Sequence, residues 1–262
     1  MSDEDWLVAA GLRLEVADAV ATVTLARPER RNAQTPAMWT ALARIGRELP
    51  GDVRVVVLTG EGASFSAGLD LAMFTPEGLP GTVGFAEMAQ MPDADAEAVI
   101  ASYQEAFTWW SRPDVISIAA VRGHAVGAGF QLALGCDLRV LTDDAQLTMA
   151  ETTRGLVPDL AGTKPLVDIV GYSRALEICA TGRRVGADEA LRLGLAEVVV
   201  PSDELEGAVA DLVAALLAPL RDAVIETKAL LLGASSRTRA EQCVAERQAQ
   251  LRRLRDLAGL GE

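Results

Sequence analysis

AAVRGHAVGAGFQLALGCD, residues 119–137, carries the reading of the fold. Its first residues complete a continuous apolar run from Val115 to Val121, the pattern of a strand buried on both faces. Gly123-His124-Ala125-Val126-Gly127-Ala128-Gly129 follows as a glycine-rich turn, and a helix is expected from Ala128 to about Leu134. Strand, turn and helix in that order leave unpaired N–H groups at the helix start, where the helix dipole favours negative charge. A second bend, Ser66-Ala67-Gly68-Leu69-Asp70, follows the apolar strand expected at Val53–Thr59. Amides from the two bends, if they converge, form an oxyanion hole for a carbonyl whose oxygen becomes negative during a reaction.

Working outward, Leu12–Val16 and Ala19–Leu25 read as a hairpin around Ala17-Asp18. Thr35 followed by Pro36 marks a helix start, with the helix running to about Leu49. Residues 71–98 lack a clear period and read as a long irregular segment with one short helix, the kind of segment that covers a ligand. A helix carrying Trp109 and Trp110 is expected over Ala98–Ser111. Short strands follow at Leu138–Leu141, Gln146–Met149 and Val198–Val200, with helices between the last two and from residue 203 onward. Strands alternate with helices first and helices dominate later, which predicts an α/β core with a helical C-terminal part.

Composition excludes several functions. The 262 residues are 50% hydrophobic and carry a net charge of −13, which argues against nucleic acid or an anionic membrane as the main partner. No apolar run reaches the roughly 18 residues of a membrane span, and the acidic N-terminus reads as no signal peptide. A soluble cytoplasmic protein is the expectation. Cys136, Cys179 and Cys243 stand at wide spacing with no metal-binding pattern, so they read as reduced thiols. His124 is the only histidine, and it reads as a packing residue.

The chain resembles the crotonase family, the enoyl-CoA hydratases and isomerases, from about Leu12 to about Leu230. Residues 65–70, residues 119–137, Gly155-Leu156-Val157-Pro158, Ala180-Thr181-Gly182-Arg183 and ADEALRLGL at 187–195 carry the resemblance through their order and spacing. It implies a spiral of ββα turns over residues 1–200 and a helical region over 201–262 that assembles trimers, often paired into hexamers. The implied ligand is an acyl-coenzyme A thioester, with coenzyme A arriving as part of the substrate and no metal or redox cofactor. The oxyanion hole falls on the amides of Leu69 and Ala128. Arg30, in the Arg27-Pro28-Glu29-Arg30-Arg31 loop, is the expected coenzyme A contact, with the backbone of Ser66, Ala67 and Gly68 beside it and Lys228 as a further cation for the phosphates.

In the hydratases of this family two glutamates flank the thioester. The first position, three residues beyond Ala128, is Gln131 here; the second, twenty residues on, is Glu151. Asp159, eight residues further, occupies a position that is aspartate in the dienoyl-CoA isomerases of the family. Hydration must take a proton from water while adding one to carbon, and Gln131 cannot accept that proton at neutral pH. Isomerisation needs one base to remove a proton alpha to the carbonyl and return it further along. Glu151 therefore reads as the proton shuttle, the alternative being a solvated loop carboxylate. Asp159 reads as a second acid/base, an orienting group or a turn residue, and Gln131 as a substrate- or water-positioning group or a structural amide. Hydration at low rate and acyl-CoA binding without turnover are the competing functions. Met73, Phe74, Met88, Trp109 and Trp110 are candidates for an acyl pocket, with core packing as their alternative. The chain end, Ala245–Glu262, departs from the aromatic, basic tail found in many family members.

Overall fold

The computed structural model of the chain describes residues 5–75 and 78–260. A short helix α1 (Asp5–Ala9), absent from the sequence reading, precedes the antiparallel hairpin β1 (Leu12–Ala17) and β2 (Val20–Leu25). Helix α2 (Pro36–Glu48) begins where expected, with the Thr35 side chain accepting from the Met38 amide and Pro36 at the first position. After β3 (Val55–Gly60) come a 3-10 turn at Leu71–Phe74, helix α3 (Phe85–Met88) and helix α4 (Asp93–Thr108). Helix α4 starts five residues earlier than the sequence suggested, behind Pro92. Trp109 and Trp110 lie in a following 3-10 turn.

The remaining core elements are β4 (Ile116–Val121), β5 (His124–Val126), α5 (Ala128–Gly135), β6 (Leu138–Thr142), β7 (Gln146–Thr148), α6 (Thr163–Val170), α7 (Tyr172–Thr181), β8 (Arg184–Gly186), α8 (Ala187–Leu193) and β9 (Val198–Val200). The large sheet runs β1-β2-β3-β4-β6-β9, parallel from β2 onward. The small sheet runs β5-β7-β8. Successive strands alternate between the sheets: β4 leads into β5 and β6 into β7, with a helix after each pair, which is the ββα turn of a spiral. The preceding turns contribute shorter pieces to the same layer, since Ser66 bridges Ala125 and Gln34 bridges Leu69, both in parallel. The resulting stack brings residues 66–69 beside residues 125–128.

Both faces of the large sheet are covered, as a parallel sheet requires. Val56 and Leu58 face the main core with Trp39, Leu42 and Phe130. Val55 and Val57 face the other way, onto Leu205 and Val209 of helix α9 (Leu205–Leu217). Helices α10 (Arg221–Ala234) and α11 (Arg239–Leu257) follow. Helix α11 opens with a reciprocal cap between Thr238 and Glu241. Leu231, Leu232, Leu251, Leu254 and Leu257 on these two helices are exposed. No helix among the described residues is long and apolar enough to cross a membrane.

Candidate active site

The two bends meet as a consequence of backbone pairing. Gln34 donates its amide to the Gly68 carbonyl at 2.7 Å and accepts from the Asp70 amide at 2.8 Å. In such a parallel bridge the N–H of the intervening residue, Leu69, points away from Gln34. Ala128 occupies the first position of α5, where an amide has no intrahelical acceptor. Neither amide has an acceptor among the described residues, and both residues line one cavity of about 200 Å³.

Glycine is needed for the approach. Gly68 has φ 86°, and a Cβ there would lie 2.4 Å from the Val126 carbonyl oxygen and 3.7 Å from the Ala128 nitrogen. Gly127 has φ 51°, and a Cβ there would press on Glu151 Oε1 at 3.2 Å.

Glu151 opens the 3-10 turn Glu151–Arg154. Its Oε1 accepts from Gln131 Nε2 at 2.6 Å, while its Oε2 is buried without a hydrogen-bond partner. Burial holds the Glu151 carboxyl above the usual carboxylate range, against the pull of hydrogen bonds from the backbone and Gln131, and the nearby Asp159 charge adds to the rise. The Gln131 carbonyl is itself occupied, accepting from the Leu160 amide at 3.0 Å and the Gly162 amide at 3.3 Å. Those two bonds fix which end of the amide faces Glu151. Gln131 is 1% exposed, and its amide is engaged at both ends.

Asp159 lines the same cavity and keeps surface open to it. The surrounding protein still removes enough water to raise its pKa. Its backbone carbonyl accepts from Gln104 of α4 at 2.7 Å. The structure thus brings Leu69, Ala128, Gln131, Glu151 and Asp159 around one space, with Ala67 and Gly68 on its wall.

Other expected residues lie elsewhere. Ser66 is fully buried; its amide donates to the His124 carbonyl and its carbonyl accepts from the Val126 amide. Ala67 keeps a carbonyl without a donor among the described residues, although its amide is bonded to the Arg31 carbonyl. Arg30 is exposed beside that junction and makes no ion pair among the described residues, whereas Arg27 is tied to Asp70 at 3.0 Å. Lys228 does not reach the cavity. Its ammonium is buried and donates to the Val115 carbonyl at 2.6 Å and to Asp137 at 2.7 Å, pinning α10 to the sheet. His124, expected to pack, is exposed at the start of β5. Trp109 and Trp110 are core residues stacked at 3.9 Å, with Trp109 against Gly46; Met73, Phe74 and Met88 do line the cavity.

Three residues escaped the sequence reading. Gln34 holds both flanks of Leu69, accepts from Trp39 Nε1 at 2.8 Å and donates to Ser66 Oγ at 3.1 Å. Trp39 and Tyr103 line the cavity with their rings 4.9 Å apart. Gln34 sits beside the helix that carries Trp39, but its bonds to Ser66, Gly68 and Asp70 cross to the next turn of the spiral and leave no local mark in a single sequence.

Residues 15–255 match the family model described as enoyl-CoA hydratase/isomerase. The chain belongs to this family. It is 55% identical to the crystallised "putative enoyl-CoA hydratase" of Thermobifida fusca YX, solved in complex with acetoacetyl-CoA, over 96% of this chain and 98% of that one, with a TM-score of 0.93. The probable enoyl-CoA hydratase of Rhodobacter capsulatus is 34% identical over 74% of this chain and 70% of its own length. The peroxisomal fatty acid beta-oxidation multifunctional protein of Oryza sativa is 35% identical over 72% of this chain, and the match spans 24% of that longer protein. The crotonase fold is thereby shared with enoyl-CoA hydratases.

Proposed function

We propose that this chain binds an acyl-CoA thioester and moves a carbon–carbon double bond through an enolate. The observation that carries the reading is the commitment of Gln131 to Glu151, Leu160 and Gly162. Gln131 is not free to hold a water, and Glu151, which lines the cavity, is left as one carboxylate with one oxygen unpaired. On a 3-enoyl-CoA, Glu151 Oε2 takes a proton from the carbon alpha to the thioester carbonyl. The electrons move into a dienolate whose oxygen lies between the Leu69 and Ala128 amides. The same carboxyl returns the proton two carbons further along, giving the 2-enoyl-CoA with no added atoms. The family membership and the acetoacetyl-CoA complex of the Thermobifida relative support an acyl-CoA as the ligand. Exposed Arg30, next to the Arg31–Ala67 junction, is the candidate for its phosphates. The uncovered leucines of α10 and α11 support assembly of copies, as a trimer or hexamer, through that face.

A second reading is hydration with Asp159 as the second acid, favoured by the position of Asp159 on the same wall and by its effect on Glu151. One assay separates the two. A 3-enoyl-CoA and a 2-enoyl-CoA are incubated in deuterated and in heavy-oxygen water and read by mass spectrometry. Isomerisation gives the shifted double bond, with deuterium exchange and no heavy oxygen; heavy-oxygen uptake as the main product selects hydration. E151Q is expected to lower kcat by about 10²–10⁴, the usual cost of losing a general base. Near-full activity in E151Q overturns the assignment of the proton shuttle.

A further inference from the structure

Helix α4 turns two side chains to the cavity, Ile100 and, one turn later, Tyr103. The same cavity is lined by the apolar Met73, Phe74, Phe85 and Met88 and, at its reacting end, by Glu151 and Asp159. The Tyr103 ring is fixed against Trp39, whose indole N–H is held by Gln34, the residue that also flanks Leu69. On the other side Gln104 ties α4 to the Asp159 carbonyl. Tyr103 is thus registered to both halves of the reacting centre. Its hydroxyl has no hydrogen-bond partner among the described residues. Burial raises its pKa, so it stays protonated as a donor through the physiological range. A phenylalanine would supply the same ring contact; the hydroxyl adds to it one hydrogen-bond donor on a residue that lines the cavity.

We infer that Tyr103 is a specificity-determining residue whose hydroxyl selects acyl groups carrying a hydrogen-bonding oxygen, a ketone or an alcohol, over bare hydrocarbon chains. The inference rests on the acyl-CoA reading above. It concerns the acyl group and is independent of whether the double bond is shifted or hydrated. A binding wall built to meet a substrate oxygen discriminates against the analogue that lacks it, because the protein group is then left unpaired. A neutral hydrogen bond of this kind is worth about 3- to 10-fold in affinity.

The test is titration calorimetry with unreactive thioesters: hexanoyl-CoA and its 4-oxo and 5-oxo analogues, on the wild type and on Y103F. At least one oxo analogue is expected to bind the wild type about 3- to 10-fold more tightly than hexanoyl-CoA, and Y103F to bring that analogue down to the hexanoyl-CoA value. A wild type without preference overturns the inference before any variant is made. A preference that persists in Y103F overturns it equally. If none of the thioesters binds, the acyl-CoA reading fails and takes this inference with it, whereas binding without preference removes the inference alone. A melting curve for Y103F, whose ring still packs on Trp39, checks that the comparison is made between folded proteins.

Discussion

The cavity has two walls built by different means. One side, residues 66–69 with 126–131, is wired by main-chain hydrogen bonds: Gln34 to Gly68 and Asp70, Ser66 to His124 and Val126, Gly127 to Thr148. The other side, residues 71–75 and 78–88, includes a 3-10 turn and a four-residue helix joined by the Phe74–Phe85 ring contact at 5.0 Å. Backbone pairing sets atomic positions tightly, because each amide has one acceptor at one distance. Side-chain packing of rings and methionines tolerates rearrangement. The first wall can therefore aim two donors at an oxygen, while the second adapts to what the acyl group brings. Changes on the wired side should act on kcat, and changes on the packed side on KM.

The largest effect is expected from Gly68→Ala. The new Cβ falls 2.4 Å from the Val126 oxygen at φ 86°, so the bends must separate. Strain of about 1–3 kcal/mol should appear as a lower melting temperature. Displacing one oxyanion donor should lower kcat by about 10²–10³. Wild-type kcat in G68A would show that the two bends do not converge in solution, and the contrast between the walls would collapse.

Gln131→Glu sharpens the comparison on the wired side. The new carboxyl would stand where Nε2 now lies 2.6 Å from Glu151 Oε1, and two carboxylates that close share a proton. The sign follows from ionisation. The proposed reaction needs ionised Glu151, and burial already raises its pKa, so wild-type activity is expected to fall on acidification starting above the ordinary carboxylate range. The folded-state rise also means that this group favours the folded state at low pH and loses that contribution as pH rises through its folded value. In Q131E both trends move to higher pH. At pH 7 the isomerisation rate should fall about tenfold and recover on the alkaline side, with a melting temperature that declines over the same interval. Heavy-oxygen uptake should rise, since an acid beside a carboxylate is the pair that hydration uses. An unchanged pH profile would break the Gln131–Glu151 contact.

The wired wall was largely legible in the sequence and the packed wall was not, for the same physical reason. Glycines at 68, 123 and 127 and the apolar runs before them are local signals of bends and buried strands, and Glu151, Gln131 and Asp159 stand at spacings the family resemblance carries. Gln34 carries no local signal, because its role comes from Leu69 on the next turn of the spiral. Strand β5 is three residues long and reads as a turn; it becomes a strand only because β7 and Ser66 lie on either side. Lys228 reads as a free cation for phosphates until the half-buried Asp137 is seen to claim it. The Trp109–Trp110 pair read as pocket or core on the sequence, and the choice was made by Gly46, a glycine on another helix that leaves room for the indole. In each case the missing information is the identity of a partner distant along the chain.

The smallest effect tests the packed wall directly. Phe85 is half-buried, lines the cavity and meets Phe74 with a tilted ring contact. Phe85→Ala removes one ring of that pair and leaves Phe74 to fall toward the acyl group or away from it. An aromatic pair contributes about 0.5–1.5 kcal/mol beyond its buried area, so KM should rise about 3- to 10-fold for an apolar enoyl-CoA. The Leu69 and Ala128 amides are anchored through backbone bonds of Gln34 and of Gly127 to Thr148, which the substitution leaves in place, so kcat should change by less than about twofold. Steady-state kinetics on F85A beside G68A gives the decisive pair of numbers. If F85A lowers kcat as steeply as it raises KM, the acyl wall and the oxyanion wall move together, and the division between an aiming side and an adapting side is wrong.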